Sequence, residues 1–279
     1  QLATQAKANG QMVMVVVADD DAYLEGQVTA VAEDRFSMAI FNKFNYTDVR
    51  ALQVDFSDIL VMEFHGLDLK LETELVWQRD HLKHVATKLY QNDGQLAGVF
   101  QNALANNRLI SVVPKGPEDQ FFVGRVKAVN DRVVVLSLKD MAGQFGGYIL
   151  LTLPSIQNVA TASDYLQTIS FYEKWDQTHH FSQQPVLNAD REFDPNDDLI
   201  RTIISEAAGF ERVVRIKVAD SDEHFLGYPE NVGETDFDLN LVGPDDGETA
   251  QIRYGQIREI AFGHIFAYLQ EAQLKNAGR

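Results

Sequence analysis

The sequence contains no cysteine. This absence excludes disulfide bonds, catalytic thiolates and cysteine-ligated zinc from the chain. The sequence also lacks an apolar run of about 18 residues, the length that a membrane-spanning helix requires. Residues 1–11 have neither the basic stretch nor the apolar segment of a secretory signal. We therefore expect a soluble, cytoplasmic protein without a leader.

The short motifs of common enzyme classes are missing as well. The sequence has no nucleophile elbow, phosphate-binding glycine loop, zinc-hydrolase helix or dinucleotide fingerprint. The glycines between Gly143 and Gly147 are typical of the flexible tip of a hairpin. We therefore predict a protein that is not an enzyme, with no catalytic residues, no cofactor and no bound metal.

Positive charge is scarce. The chain has 24 lysine and arginine residues against 41 aspartate and glutamate residues, which gives a formal net charge of −17. Such a surface repels polyanions. We therefore expect no DNA partner and no membrane partner.

Three segments of the sequence resemble one another, and each carries a glycine in its second apolar run. These glycines, Gly26, Gly124 and Gly227, recur at nearly equal intervals. The first apolar runs of the three copies are 12–17, 109–113 and 213–218. An apolar strand is predicted to close each copy, at 56–62, 151–159 and 252–262. A period of this kind indicates a structural unit that is repeated three times.

Amphipathic helices are predicted ahead of the copies. Apolar residues recur at helical spacing in 96–104 and 199–208, and a shorter equivalent precedes the first copy at 2–8. The second of these helices is expected to begin after the capping cluster 194–198 and to end at Gly209. Further helices are predicted at 75–90, at 165–176 and after Ile265.

The two tryptophans of the chain keep register with the repeat. Trp77 and Trp175 lie equally far behind Gly26 and Gly124, and each is followed four positions later by a histidine. The simpler interpretation is a helix that packs its tryptophan on the neighbouring barrel with the histidine one turn on. The alternative is a zinc site, whose candidate ligands are Asp80, His81, His84, Asp176, His179 and His180.

Together these patterns predict a mainly β protein with helices, of the α+β class. We expect three tandem five-stranded barrels, each preceded by a helix and joined by helical linkers. The predicted parts are a first repeat at 1–64, a helical linker at 65–92, a second repeat at 93–160, a helical linker at 161–195, and a third repeat with a C-terminal helix at 196–279.

This order of elements resembles that of the Sm-like fold, and the third copy resembles it most. Residues 236–241 resemble the first Sm motif, in which an aspartate is followed four positions later by an RNA-contacting asparagine. Residues 252–257 resemble the second motif, an Ile-Arg-Gly step, with Tyr254 inserted. The resemblance implies that Asn240 and Arg253 contact uridines. In the first two copies apolar residues stand near the asparagine position, and 57–58 and 154–155 replace the Arg-Gly step.

Only the second copy is basic. Residues 108–160 hold six lysines and arginines against four acidic residues, whereas the counts are three against nine in 12–62 and five against eleven in 212–262. Arg125 and Lys127 alternate with apolar residues, which predicts that both lie on the outer face of one strand. Arg132 follows them. These cations are either a nucleic-acid contact or ordinary solvated charge.

The function that these observations favour is a non-catalytic interaction or scaffold protein. Small barrels present strand edges that pair with equivalent strands, and Sm-like units form rings in this way. We therefore expect self-association or an unknown protein partner, with a ring or pseudo-ring as one form. The alternative is a protein that binds single-stranded RNA through Asn240, Arg253, Arg125, Lys127 and Arg132. A small-molecule ligand in a crevice between barrel and helix is a third possibility.

Overall fold

The computed structural model describes residues 1–18, 23–42, 49–78, 83–116, 120–179, 190–219, 221, 223–243 and 247–276. These residues form an α+β fold of helices and antiparallel sheets, as predicted. The helices are α1 (Leu2–Asn9), α2 (Leu67–Trp77), α3 (Leu96–Ala105), α4 (Asp164–His179), α5 (Leu199–Gly209) and α6 (Ile265–Asn276).

The strands fall into three sets of five and one additional strand. The first set is β1 (Met12–Val17), β2 (Tyr23–Val31), β3 (Arg35–Phe41), β4 (Val49–Asp55) and β5 (Ile59–Glu63). The additional strand is β6 (Lys88–Gln91). The second set is β7 (Leu109–Pro114), β8 (Phe122–Val129), β9 (Val133–Lys139), β10 (Phe145–Thr152) and β11 (Ile156–Ala162). The third set is β12 (Val214–Val218), β13 (His224–Glu230), β14 (Asp236–Leu241), β15 (Thr249–Arg253) and β16 (Ile257–Phe262).

The same strand order recurs in the three sets. In each, strands one to four follow one another as an antiparallel meander, and the fifth strand returns to pair with the first. A single turn of 3-10 helix joins strand four to strand five, at Phe56–Asp58, Leu153–Ser155 and Tyr254–Gln256. The helix before each set, α1, α3 or α5, contacts the second strand of that set.

The three repeated glycines explain part of this regularity. Gly26, Gly124 and Gly227 each lie on strand two, opposite a residue of strand three. A Cβ atom at these positions would lie 2.3, 2.4 and 2.2 Å from a carbonyl oxygen of strand three. Only glycine permits so close an approach of the two backbones.

The described strands do not form the closed barrels expected from the sequence. The strands make one open sheet in the order β4-β3-β2-β1-β5 and one open sheet in the order β15-β14-β13-β12-β16-β10-β9-β8-β7-β11-β6. The physical reason is that strand four of a set does not pair with its own strand five. In the larger sheet, β10 pairs instead with β16 of the following set.

The segment 65–92, which was predicted to be a helical linker, is helical only in part. Helix α2 ends at Trp77, and Lys88–Gln91 form strand β6 instead of the end of a helix at 75–90. The alternation of polar and apolar residues in Lys-Leu-Tyr-Gln suits a strand, and β6 pairs with β11. In the second linker, 161–195, helix α4 spans Asp164–His179.

The chain divides into two compact units. The first comprises Gln1–Ala86 and Ser163–His179. Its core lies between α1 and the five-stranded sheet, where Val13, Val15, Phe36 and Met38 are almost fully buried. Helix α2 contacts both β1 and α4, and the Thr73 hydroxyl accepts a hydrogen bond from the backbone N–H of Met12 at 2.9 Å.

The second unit comprises Thr87–Ala162 and His180–Arg279, and it contains the larger sheet. One core packs α3 against the second strand set, around Phe100, Ile110 and Leu136. Another packs α5 against strands of both the second and the third sets, around Ile204 and Leu150. The side chain of Asp198 accepts a hydrogen bond from the N–H of Arg201 and so caps α5 at its predicted start.

Candidate interaction surfaces

The two residues implied by the Sm resemblance lie at opposite ends of one hairpin. Asn240 on β14 pairs with Thr249 of β15, and its Oδ1 accepts a hydrogen bond from the Thr249 hydroxyl at 2.9 Å. Arg253 pairs with Asp236, which precedes Asn240 by four residues on β14. Four residues of a strand span about 13 Å, so the structure does not bring Asn240 and Arg253 together.

The three cations predicted in the second set have different surroundings. Arg125 donates a hydrogen bond from its guanidinium to the backbone oxygen of Asn107. Lys127 lies at a register shift of the β8–β9 ladder, and Arg132 lies in the turn between these strands. Arg132 borders a cleft of about 270 Å³ that is also lined by Asp131, Asp197 and Asp198. These aspartates make the cleft unfavourable for a phosphate.

The histidines proposed as zinc ligands have other partners where the structure describes them. His84 Nδ1 lies 2.8 Å from Asp164 Oδ2, and the ring of His179 stacks on that of Trp175 with centroids 4.3 Å apart. His81 and His180, like Asp80, lie outside the described residues. Within the described ranges, no three histidine, aspartate or glutamate side chains are grouped so that they could hold a metal ion.

A crevice between sheet and helix, the third possibility, is present in the second unit. The cavity has a volume of about 450 Å³, and Tyr148, Phe262 and Tyr268 contribute to its walls. Its two arginines are each paired: Arg191 with Glu206, and Arg212 with Glu271. The lining also includes Glu192, so three carboxylates face two guanidinium groups in this cavity, which disfavours an anionic ligand.

The junction between the second and third strand sets is a continuous antiparallel ladder. Strand β10 pairs with β16 from Tyr148 opposite Phe262 to Leu151 opposite Glu259. Leu150 and Ile260 belong to the core under one face of this ladder. The fourth strand of one set thus joins the fifth strand of the next, with a core beneath the joint.

Four of the described strands form the edges of the two sheets. They are β4 and β5 in the first unit, and β15 and β6 in the second. Edge strands offer unpaired backbone donors and acceptors to other chains. On β5 the apolar side chains of Leu60 and Val61 are 65% and 51% exposed, which is unusual for an edge that remains in water.

The sequence pattern did not lead us to predict strand β6, which lies at one edge of the larger sheet. It pairs with the outer side of β11, the fifth strand of the second set, just as β10 pairs with β16, the fifth strand of the third set. The signal that could have found it is the period-two alternation of Lys88–Gln91 directly before the turn at 92–95.

Among the described residues, no helix is both long and apolar enough to cross a membrane. Comparisons with models of protein families, with curated proteins and with solved structures gave no match for this chain.

Proposed function

We propose that the protein is a non-catalytic interaction or scaffold protein built from three Sm-like repeats, and that copies of it associate by pairing the edges of their sheets. The observation that carries the proposal is the β10–β16 ladder, in which strand four of one set pairs with strand five of the next. The chain therefore already uses this kind of joint internally.

The same two kinds of edge are available elsewhere. In the described part of the chain, β15 is a fourth strand and β5 a fifth strand, and each is the last strand of its sheet. Pairing of β15 of one copy with β5 of another repeats the internal joint between molecules. Two copies that exchange both contacts form a closed dimer, whereas successive single contacts form an open chain.

The internal joint also supplies a register. Leu151 and Ile252 occupy the same position before the 3-10 turn, and Glu259 and Val61 occupy the same position after it. Since Leu151 lies opposite Glu259, the intermolecular pairing places Ile252 opposite Val61. The exposed side chain of Val61 then lies beside the buried Ile252 at the margin of a core, which removes apolar surface from water.

Sedimentation velocity over a range of protein concentrations tests this function. We expect the wild-type protein to form dimers or larger species and Val61→Lys to remain a monomer, because pairing would bury the new ammonium opposite Ile252. At the equivalent position of the internal joint, the Glu259 carboxylate is tolerated because it is paired with Arg215. Leu2→Lys on α1 is the matched control, since Leu2 is 59% exposed and lies on a helix. A wild-type protein that is monomeric at every concentration, or a Val61→Lys variant that still associates, overturns the proposal.

Binding of single-stranded RNA through Asn240, Arg253, Arg125, Lys127 and Arg132 is the alternative function. The basic charge of the second set favours it, whereas the separation of Asn240 from Arg253 and the acidic cleft at Arg132 oppose it. A salt-dependent titration with labelled oligouridine tests it, with Asn240→Ala/Arg253→Ala and Arg125→Glu/Lys127→Glu as variants. Binding that is lost in either variant establishes this alternative in place of the scaffold.

A further inference from the structure

A groove of about 590 Å³ runs between strand β6 and helix α3 in the second unit. Residues of both elements line it, together with Arg108 at the start of β7 and Thr161 on β11. Lys88, Leu89, Gln91 and Gln95 are exposed along it. The groove is distinct from the edges that the proposed function uses.

One wall of the groove is an edge of the large sheet. Strand β6 pairs through its inner side with β11, with Gln91 opposite Asn158 and Leu89 opposite Ala160. Among the described residues no strand pairs with its outer side. Helix α3 contacts β6, so a strand added at this edge has the helix beside it. A sheet edge next to a helix is a recurring site for the addition of a peptide strand.

The side chains in the groove are positive in an otherwise acidic protein. Lys88 Nζ lies 5.4 Å from the centre of the Tyr90 ring. The pKa of the Tyr90 phenol is lowered, chiefly by a hydrogen bond with the Lys88 ammonium and to a smaller extent by the positive charge of Arg108. Within the described residues neither Lys88 nor Arg108 has a carboxylate within 4.0 Å. Among the groove-lining residues that the structure describes, Asp93 is the one acidic residue.

We propose that this groove binds an extended peptide with acidic side chains at alternate positions, which adds to β6 as a further strand. Lys88 and Tyr90 project to one face of β6, so acidic residues at alternate positions of the added strand lie beside Lys88. Arg108 precedes β7, two strands further into the sheet, and adds positive charge to the same groove. The residues between them face the exposed Leu89, which favours apolar side chains there. The inference extends the proposed function by naming a second kind of partner at a different edge.

A peptide fits these observations better than a nucleic acid. Sequence-tolerant binding of single strands relies on a continuous basic groove and on free aromatic faces for stacking. Here the ammonium of Lys88 covers a face of Tyr90, and the described residues that line the groove include only two cations, Lys88 and Arg108. No described strand pairs with the outer side of β6, whose backbone offers hydrogen bonds that a peptide backbone can accept and donate in register.

Fluorescence anisotropy with a labelled, capped Val-Glu-Val-Glu-Val-Glu-Val peptide tests the proposal on the full chain. We expect saturable binding that weakens at least tenfold in Lys88→Glu/Arg108→Glu. This variant is expected to bind the corresponding Val-Lys peptide instead. Lys115→Glu/Arg132→Glu is the matched control, because it removes two exposed cations of the same unit outside the groove. Its affinity should equal that of the wild type.

A peptide N-methylated at alternate residues tests the strand pairing without any change to the protein. We expect N-methylation on the paired side to abolish binding, because it removes the backbone donors of the added strand. Binding that survives in both alternately methylated peptides, so that neither set of backbone donors is needed, overturns strand addition. Binding of a 12-nucleotide oligouridine that is lost in Lys88→Glu/Arg108→Glu overturns the peptide in favour of a nucleic acid.

Association through the sheet edges and peptide binding in the groove can be tested independently of each other. Lys88→Glu/Arg108→Glu should retain the sedimentation behaviour of the wild type, and Val61→Lys should retain the affinity for the Val-Glu peptide. Loss of peptide binding in the Val61→Lys variant would contradict the groove as the site.

Discussion

The carboxylate of Glu259 on β16 lies 3.0 Å from the guanidinium of Arg215 on the neighbouring strand β12. The Glu259 side chain is 3% exposed, and Nε2 of His224 on β13 is 3.8 Å from the same carboxylate oxygen. A buried carboxylate is stable only with such partners, because desolvation of an unpaired charge costs several kcal/mol. Glu259 therefore links three strands of the third set at the point where β10 joins them.

Replacement of Glu259 by glutamine removes the charge while the shape of the side chain is kept. We expect Glu259→Gln to lower the free energy of unfolding by about 2 kcal/mol, in the range for hydrogen bonds to charged groups. Asp34→Asn is the control, because Asp34 pairs with Arg35 on an exposed surface. Urea denaturation measures both variants. Equal stability of the two would contradict a structural role for Glu259.

The glycines on the second strands provide a test of the repeated strand contact. Gly124→Ala places a Cβ atom 2.4 Å from the backbone oxygen of Ser137, which cannot move without disturbing the ladder. We expect a loss of about 1–3 kcal/mol, as for other overpacked sites. Gly26→Ala and Gly227→Ala should lose stability to a similar degree.

The control for these glycines is Gly209 at the end of α5. Apart from its own chain neighbours and the backbone of its own helix, no described atom lies within 4 Å of a Cβ built there. Gly209→Ala should leave the denaturation midpoint unchanged or raise it slightly. If the strand glycines accept alanine as readily as Gly209 does, the close approach of strands two and three is contradicted.

The glycine spacing and the apolar periodicity predicted the meanders and most of the helices, because both depend on local pattern. The helix predicted at 75–90 is the exception. Helices α3 and α5 follow their apolar stripes. The fifth strands overlap the predicted closing strands 56–62, 151–159 and 252–262, but each begins later than predicted because a 3-10 turn comes first. The pairing of β10 with β16 is between segments far apart in the chain, and local pattern carries no information about such a partner. The same reason explains why open sheets replaced the predicted barrels.

The candidate sites were harder to predict than the fold. The groove beside β6 depends on Lys88 and Arg108, which lie apart in sequence and meet only because β6, β11 and β7 are adjacent. Conversely, Asn240 and Arg253 match a motif by spacing but are separated by antiparallel pairing. Spacing alone does not determine distance across a ladder.

The two tryptophans report on different environments in the first unit. Trp77 is 57% exposed and donates from Nε1 to the backbone oxygen of Gly10, whereas Trp175 is 6% exposed and lies beneath the Lys70 ammonium. In Trp77→Phe, the remaining fluorescence should resist quenching by acrylamide. In Trp175→Phe, the fluorescence of the remaining Trp77 should be quenched readily, and its emission maximum should lie at a longer wavelength. Equal quenching in the two variants would contradict this placement of α2 and α4.

His264 precedes α6 and links the stability of the second unit to pH. Burial of the ring, with the positive charge of Arg215 as a second cause, lowers the pKa of His264 from 6.5 to about 4. Nδ1 of the neutral ring accepts a hydrogen bond from the backbone N–H of Ala267 at 3.1 Å. As the pH falls below 6.5, the unfolded chain binds a proton at this position and the folded chain does not.

Stability from this group is therefore complete above the unfolded pKa and is lost as the pH falls towards 4, at up to about 1.4 kcal/mol per pH unit. His264→Asn removes the titration but keeps an oxygen that accepts the N–H of Ala267 and caps α6. The carboxylates titrate alike in both proteins, so their effect cancels in the difference. Between pH 7 and pH 5 we expect the wild type to lose about 2 kcal/mol more than His264→Asn in urea denaturation. Parallel stability curves over this interval would show that the ring of His264 can take up a proton in the folded protein and is not held neutral by burial.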